Sequence, residues 1–245
     1  MTTNHVLIVG GSSGIGLALA ERLLADGASV TIAGRSTQRL DEAARHLEGA
    51  LRPDSGRLRI SSVDIGREEQ VRALLAGTGP LDHVVVTAAD AAGAYAPLPE
   101  FDVEAARALL DTKLLGPWLV AKHAAGQLPP TGSITFTSGI AAYRPAAGSS
   151  MIASANGALE ALARALAVEL APIRVNVVSP GWVDTPIWDT IAGDAKTERL
   201  AAMAARLPVR RVGTPADLAA AYAAVLDNGF VTGTVVHVDG GHRLV

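Results

Sequence analysis

A glycine-rich turn near the start of the chain has the residue types and spacing that bind a phosphate group. Residues 9–16 read Val-Gly-Gly-Ser-Ser-Gly-Ile-Gly, between an apolar run and a helical pattern. Glycines allow a tight turn and a close approach of a phosphate to the backbone, and a helix N-terminus favours negative charge. This strand–turn–helix context predicts dinucleotide binding rather than an unliganded loop. The expected contact residues are Gly10, Ser12, Ser13, Gly14, Ile15 and Gly16.

The end of the second predicted strand indicates which dinucleotide fits. It reads Ala33-Gly34-Arg35-Ser36, without an acidic residue that could accept from the ribose hydroxyls. Arg35 can instead pair with a 2′-phosphate, and Ser36 can donate a hydrogen bond to it. The sequence therefore predicts NADP(H) as the cofactor. NAD(H) is the alternative if Arg35 is only a solvated residue at a helix start.

Short β-branched runs alternate with Ala- and Leu-rich helical stretches, and these elements must position the turn. The predicted strands are His5–Val9, Ser29–Ala33, Leu58–Val63, Leu81–Thr87, Ser133–Thr137, Ile173–Val178 and Thr234–Val238. The predicted helices include Gly16–Ala25, Thr37–Leu47, Glu68–Ala76, Phe101–Gln127 with a kink at Pro117, and Ser150–Leu170. Buried strands separated by helices indicate a doubly wound α/β Rossmann-type fold with a parallel sheet of about seven strands. We expect one domain over residues 1–245, with a substrate lid at 186–208.

The composition excludes several classes of protein. Hydrophobic residues make up 49% and charged residues 18%, which excludes intrinsic disorder. The net charge of -3 argues against nucleic acid as the main partner. The absence of cysteine excludes disulfides, thiolate metal sites and a cysteine nucleophile, and the six histidines lack metal-ligand spacing. Without a signal-peptide pattern or a membrane-length apolar run, we expect a cytoplasmic protein that acts on a small molecule, without a membrane partner.

Taken together, the motifs resemble the short-chain dehydrogenase/reductase family over essentially the whole chain. The resemblance rests on the Gly-x-x-x-Gly-x-Gly turn, on Asp64-Ile65, on the segment Pro180–Pro186 after Arg174-Val175-Asn176, and on Val238-Asp239-Gly240-Gly241. It implies further cofactor contacts from Asp64, Ile65, Ala88, Ala89, Lys113, Pro180, Gly181, Val183 and Thr185. It also implies a homo-oligomer, a tetramer or a dimer, in which the two long helices and the last strand form interfaces.

The predicted catalytic centre departs from the family pattern. The resemblance places Ser138 where the family has the serine that hydrogen-bonds the substrate carbonyl. The family then expects Tyr-x-x-x-Lys, but Ile152 and Asn156 stand at the tyrosine and lysine positions. Lys113 stands where the family has an asparagine, so lysine and asparagine are exchanged, as in ketoreductase domains of modular polyketide synthases. The exchange keeps one cation and one amide beside the nicotinamide ribose, but it does not restore the phenol.

The missing phenol leaves the proton donor open. Lys113 could act directly or through water, or it could only contact ribose hydroxyls. Tyr143 follows Ser138 in a loop bordering the pocket and could approach the substrate from another side, or it could only pack on the lid. An imine or an activated enone would need less help from an acid. We therefore expect catalytic contributions from Ser138, Lys113, Asn156 and Tyr143.

Three functions compete at this point. The leading one is an NADP(H)-dependent oxidoreductase that transfers a hydride to or from a small carbonyl, enone or imine. The second is a catalytically silent NADP(H)-binding sensor or partner subunit, for which the missing tyrosine is the main support. The third is a non-redox lyase or cyclase that uses the same pocket.

Overall fold

The computed structural model describes residues 4–51, 57–88 and 93–245. Seven parallel strands form one sheet with the order β3-β2-β1-β4-β5-β6-β7. The strands are β1 His5–Val9, β2 Ser29–Gly34, β3 Leu58–Ser62, β4 His83–Val86, β5 Ser133–Thr137, β6 Arg174–Pro180 and β7 Val235–Val238. The doubly wound α/β prediction is therefore confirmed, and the bounds of the strands differ from expectation by at most two residues.

Helices cover both faces of the sheet. They are α1 Gly14–Ala25, α2 Thr37–Ala50, α3 Glu68–Thr78, α4 Val103–Leu110, α5 Gly116–Ala124, α6 Ser150–Glu169, α7 Ile187–Ala192, α8 Lys196–Arg206 and α9 Pro215–Asp227. One apolar core lies between the sheet and α1, α2 and α9, and the other lies between the sheet and α3, α5 and α6. Successive strand residues alternate between these cores, because side chains of a strand point to opposite faces. In β1, Val6 and Ile8 join one core while Leu7 and Val9 join the other.

The helix predicted over 101–127 is not continuous. A π-helical segment, Asp111–Leu115, separates α4 from α5, and Pro117 lies in the first turn of α5. Proline is tolerated there because it lacks an N–H that the first turn cannot use within the helix. The irregularity expected at Pro117 is therefore present, but it begins six residues earlier and widens the helix where Lys113 lies.

The helix α6 is long and apolar enough to cross a membrane by length and composition alone. It nevertheless packs against β6, and it carries Asn156 and Glu160 on a buried face. The segment at 186–208 folds into α7 and α8, so the expected lid has helical structure.

The fold places the glycine-rich turn at the point where the strand order reverses. The strand β1 lies between β2 and β4, so the loops after β1 and β4 leave the sheet toward opposite sides. In open parallel sheets, ligands bind in the crevice at the carboxyl ends of strands at such a point. The loops after β1, β2, β4, β5 and β6 all open at this edge.

A buried hydrogen bond joins α9 to the end of β5 and gives a test of the packing. Thr137 Oγ1 donates to Val86 O at 2.8 Å, so the fully buried Tyr222 phenol donates to Thr137 Oγ1. We expect Tyr222→Phe to lower the free energy of unfolding by about 1 kcal/mol, because a buried hydrogen bond is lost without a cavity. Urea denaturation measures this change. Tyr95→Phe, at a half-exposed tyrosine, is the control; equal losses in both variants would contradict the prediction.

Candidate active site

The glycine-rich turn passes too close to the end of β4 for side chains. A Cβ on Gly10 would lie 2.5 Å from the backbone nitrogen of Ala88, and one on Gly16 would lie 2.3 Å from the oxygen of Gly10. Gly10 and Gly14 also have φ angles of 95° and 53°, a region that other residues rarely adopt. The predicted glycines are therefore required by the backbone, and they bring Ala88 beside the turn.

The N-terminus of α1 is suited to bind an anion. The side chain of Ser13 precedes the helix without capping it, and the first turn holds no acidic residue. The first backbone N–H groups of a helix have no partner within the helix, and they attract negative charge. Ser13, Ile15 and Gly16 lie at this helix start. The residues of this turn fit the pyrophosphate of a dinucleotide.

The end of β2 lies next to the same turn. A Cβ on Gly34 would be 3.6 Å from the Ser12 hydroxyl oxygen, so Arg35 and Ser36 follow directly beside Ser12. Ser36 precedes α2, and its hydroxyl oxygen accepts from the backbone N–H of Arg39 at 3.3 Å. Its hydroxyl proton still allows it to donate to a phosphate. Arg35 is exposed at this edge.

The loop after β3 opens at the same edge of the sheet. Asp64 Oδ1 accepts from the backbone N–H of Gly66 at 3.0 Å, and Arg67 lies 3.5 Å from its other oxygen. Ile65 is buried against Gly116 at the start of α5. Asp64 and Ile65 are therefore fixed in a turn at the expected place. The predicted contact Ala89 lies outside the described residues.

The segment after β6 closes over the glycine-rich turn. Pro180 ends β6, and a Cβ on Gly181 would lie 2.7 Å from the Cα of Asp239. A Cβ on Gly14 would lie 3.3 Å from that of Thr185, so this segment and the turn face each other. Val183, within the same segment, is buried in the apolar core. The structure thus brings the predicted cofactor residues from both segments together.

The lid segment (186–208) is attached to this loop by polar contacts that the sequence did not indicate. The Lys196 ammonium lies 3.2 Å from Asp184 and 3.0 Å from Asp189. Trp188 donates through Nε1 to the oxygen of Val183 at 2.9 Å, and its ring packs on Trp182 with 4.2 Å between centroids. These contacts hold α7 against the loop after β6.

Lys113 is buried at the carboxyl end of β5. Its side chain is 5% exposed, and its ammonium donates to the oxygens of Thr137 at 2.8 Å and Ser138 at 3.3 Å. Burial lowers the pKa of Lys113 to about 8. A pKa near neutrality suits proton transfer, but two of its three N–H groups are used to hold the end of the strand.

Asn156 lies on α6 opposite Gly139. Its amide nitrogen donates to the oxygen of Gly139 at 3.4 Å, while its Oδ1 is buried without a hydrogen-bond partner among the described residues. Gly139 contributes no side chain, and a Cβ there would lie 3.1 Å from the amide nitrogen. Ile152, one turn earlier, adds only hydrocarbon. This wall therefore carries an amide but no hydroxyl.

Ser138 and Tyr143 do not present their protons as the sequence analysis expected. The Ser138 hydroxyl donates to Glu160 Oε1 at 2.8 Å, and the Tyr143 phenol donates to Glu160 Oε2. Burial and the neighbouring Glu160 carboxylate raise the pKa of Tyr143 to about 12, so it is a weaker acid than an ordinary phenol. In this arrangement Ser138 cannot donate to a carbonyl, and Tyr143 cannot act as a strong proton donor.

Glu160 is the residue that sequence reasoning missed. It is 5% exposed and stands four residues after Asn156 on the same face of α6. A carboxylate on the buried face of an apolar helix is unusual, because burial of a charge needs compensating hydrogen bonds. The spacing of four residues between Asn156 and Glu160, which places both on one face of a helix, is the sequence signal that could have indicated Glu160.

Comparison with known proteins identifies the relatives of this chain. The family described as Enoyl-(Acyl carrier protein) reductase matches residues 9–243. The short-chain dehydrogenase/reductase ATR9 of Stachybotrys chlorohalonatus is 39% identical, over 96% of this chain and 95% of that protein. The structure of the MalC reductase/Diels-Alderase from Malbranchea aurantiaca is 34% identical with a TM-score of 0.91, covering 99% of this chain and 97% of that one.

A third similarity concerns the cofactor. The crystal structure of a small-chain dehydrogenase in complex with NADPH is 32% identical, with a TM-score of 0.83, and covers 99% of this chain and 100% of that one. Sequence and fold thus agree with these relatives over almost the whole length of the chain. The chain belongs to the short-chain dehydrogenase/reductase family.

Proposed function

We propose that the protein is an NADP(H)-dependent oxidoreductase that transfers a hydride to or from a small carbonyl, enone or imine compound in the cytoplasm. The observation that carries the proposal is the crevice formed by the glycine-rich turn, the end of β2 and the loop after β6. Gly14 faces Thr185 there, and Gly34 lies beside Ser12. The NADPH complex of a structural relative supports the choice of cofactor. When bound, the nicotinamide supplies or accepts the hydride.

The residues of the chain then have distinct tasks. The turn at 10–16 and the loop at 180–185 hold the pyrophosphate and the nicotinamide end, and Arg35 and Ser36 hold the 2′-phosphate. Lys113 and Asn156 shape the polar side of the pocket, since both are buried at the carboxyl end of β5. The lid segment, held to the loop after β6 by Trp188 and Lys196, excludes water from the site.

The proposed cofactor preference depends on one side chain. We expect Arg35→Ala to weaken NADPH binding 10- to 100-fold, about 1.5–3 kcal/mol for a charged hydrogen bond, and to change NADH binding less than 3-fold. Isothermal titration of both cofactors measures this. Arg45→Ala, farther along α2, is the control, because Arg45 donates to the oxygen of Asp41 on its own helix. If Arg35→Ala lowered the affinities for NADPH and NADH equally, Arg35 would not be the residue that binds the 2′-phosphate.

The burial of Lys113 predicts a pH-dependent stability. In the unfolded chain Lys113 keeps its proton up to about pH 10.5, but in the folded protein it loses the proton above about pH 8. Between these values the unfolded state binds more protons, so stability rises with pH. At about 1.4 kcal/mol per pH unit, the wild type should gain about 3 kcal/mol relative to Lys113→Met across this window.

Urea denaturation between pH 7.5 and 10.5 measures that difference, in which contributions of other groups cancel. Lys122→Met is the matched control, because Lys122 is exposed and pairs with Glu68. A wild-type advantage over Lys113→Met that stays constant with pH would contradict the assignment.

A second candidate function is cyclisation of an unsaturated substrate in the same pocket. The structural relative with 34% identity is named a reductase/Diels-Alderase, and the wall formed by Gly139, Ile152 and Asn156 lacks a hydroxyl donor. Product formation without NADPH consumption would favour this candidate. Stoichiometric NADPH binding without turnover of any compound would favour a sensor or partner subunit.

We also propose that the protein forms a homo-oligomer through α5 and α6. Apolar side chains are exposed there, with Trp118 at 39% and Val168 at 81%. Burial of such surface against a second copy is favourable. We expect Val168→Asp to shift the mass measured by light scattering toward the monomer. Phe230→Ser, at a fully exposed residue outside these helices, is the control; a wild-type protein that is already monomeric would exclude the proposal.

A further inference from the structure

Glu160 accepts hydrogen bonds from two hydroxyls near the candidate site, those of Ser138 and Tyr143. Ser138 donates to one carboxylate oxygen at 2.8 Å, and Tyr143 donates to the other. A hydroxyl carries a single proton and otherwise offers only lone pairs. As long as Glu160 is ionised and in place, neither hydroxyl can donate to a substrate oxygen.

The rest of this wall does not replace the missing donors. Asn156 and Glu160 lie on one stripe of α6 with Ile152, at spacings of four residues. Gly139, opposite Asn156, has no side chain, and the amide nitrogen of Asn156 already donates to its oxygen. The atom left without a partner among the described residues is the acceptor Asn156 Oδ1. A buried acceptor without a partner is costly, so a ligand that donates a proton there is favoured.

A wall that offers a hydrogen-bond acceptor but no free donor does not suit a neutral ketone. Hydride addition to a ketone places negative charge on oxygen, which must be stabilised by a hydrogen-bond donor or a proton. A protonated carbon–nitrogen double bond already carries its proton and a positive charge. Its carbon accepts the hydride, its π electron pair becomes the nitrogen lone pair, and the N–H proton stays in place. The substrate is reduced to an amine as NADPH is oxidised to NADP⁺, and no proton is needed from the chain.

The charges around the wall are compatible with a cation. Glu160 is contacted by two neutral hydroxyls, and among the described residues it makes no direct ion pair. Arg164 on the same helix and Arg243 near the C-terminus act on Tyr143 from a distance, and His237 on β7 lies edge-on to that ring. Burial lowers the pKa of Lys113 to about 8, so above that pH its positive charge is largely lost and no longer opposes a bound cation.

We propose, on the basis of the function proposed above, that the reacting group of the substrate is a protonated imine. Glu160 is the positioning residue that makes the site selective for it, because it turns Ser138 and Tyr143 away from proton donation. The N–H of the substrate satisfies Asn156 Oδ1.

Two probes of nearly equal shape test the inference. They are 3,4-dihydroisoquinoline, a cyclic imine that takes up a proton, and α-tetralone, the corresponding cyclic ketone. Isothermal titration of each into wild-type protein, with saturating NADP⁺ and again without it, should show at least 10-fold tighter binding of the imine. A preference present only without NADP⁺ would mean that the cofactor, not the substrate, uses the acceptor, and it would overturn the inference.

The positioning role of Glu160 is tested with a shape-conserving variant. We expect E160Q to reduce the preference for the imine to less than 3-fold while the Kd for NADPH changes less than 2-fold. E169Q, at an exposed residue of the same helix, should keep the wild-type preference. If folded E160Q kept the wild-type preference for the imine, Glu160 would not be the residue that makes the site selective. If E160Q does not fold, the wild-type comparison of the two probes still decides the substrate class.

The outcomes separate this inference from the proposed function. NADPH consumption with α-tetralone at a kcat/KM equal to or above that with the imine would overturn the inference and leave the oxidoreductase intact. Absence of NADPH binding would overturn the oxidoreductase, and the titrations without cofactor would still test the preference for a cation. Tight imine binding with at least 10-fold faster imine reduction would support both.

Discussion

Three consecutive residues at the end of β5 hold the site together. The Thr137 hydroxyl bonds to β4 and α9, and the Thr137 oxygen accepts from Lys113 of the π-helical segment. The Ser138 hydroxyl and the Gly139 oxygen then bond to two residues of α6. Because these groups are buried, each has to find a partner inside the protein. The distance between the helical layers at this edge is therefore set by polar contacts, and the apolar cores on both faces of the sheet pack around them.

The scaffold could be predicted because its signals are local. The period of the apolar residues predicted the strands, and the glycine spacing predicted the turn, since Gly10 and Gly16 have no room for a Cβ. The choice of Thr185 as a cofactor residue followed from the family resemblance, and its position opposite Gly14 is shown by the structure alone. These features depend on backbone geometry, which tolerates few residue types.

The polar interior of the site could not be predicted in the same way. The sequence placed Ser138 and Tyr143 near the pocket, but the direction of their hydroxyls depends on Glu160, a partner in another element. Lys113 was selected for its residue type, whereas its burial depends on the π-helical segment. Side-chain partners that are 17 to 25 positions apart leave no periodic signal, and the direction of a hydroxyl proton is decided by the best acceptor in reach.

The π-helical segment has a consequence for how such a site can arise. A π-helical turn accommodates one more residue than an α-helical turn, and it is frequent at functional sites. The helices α4 and α5 on either side keep ordinary geometry and continue to bury their apolar faces. A wider turn between two regular helices can therefore direct one side chain toward the sheet without repacking the rest of the helix. In this chain the side chain directed toward the sheet is Lys113, whose ammonium reaches the end of β5.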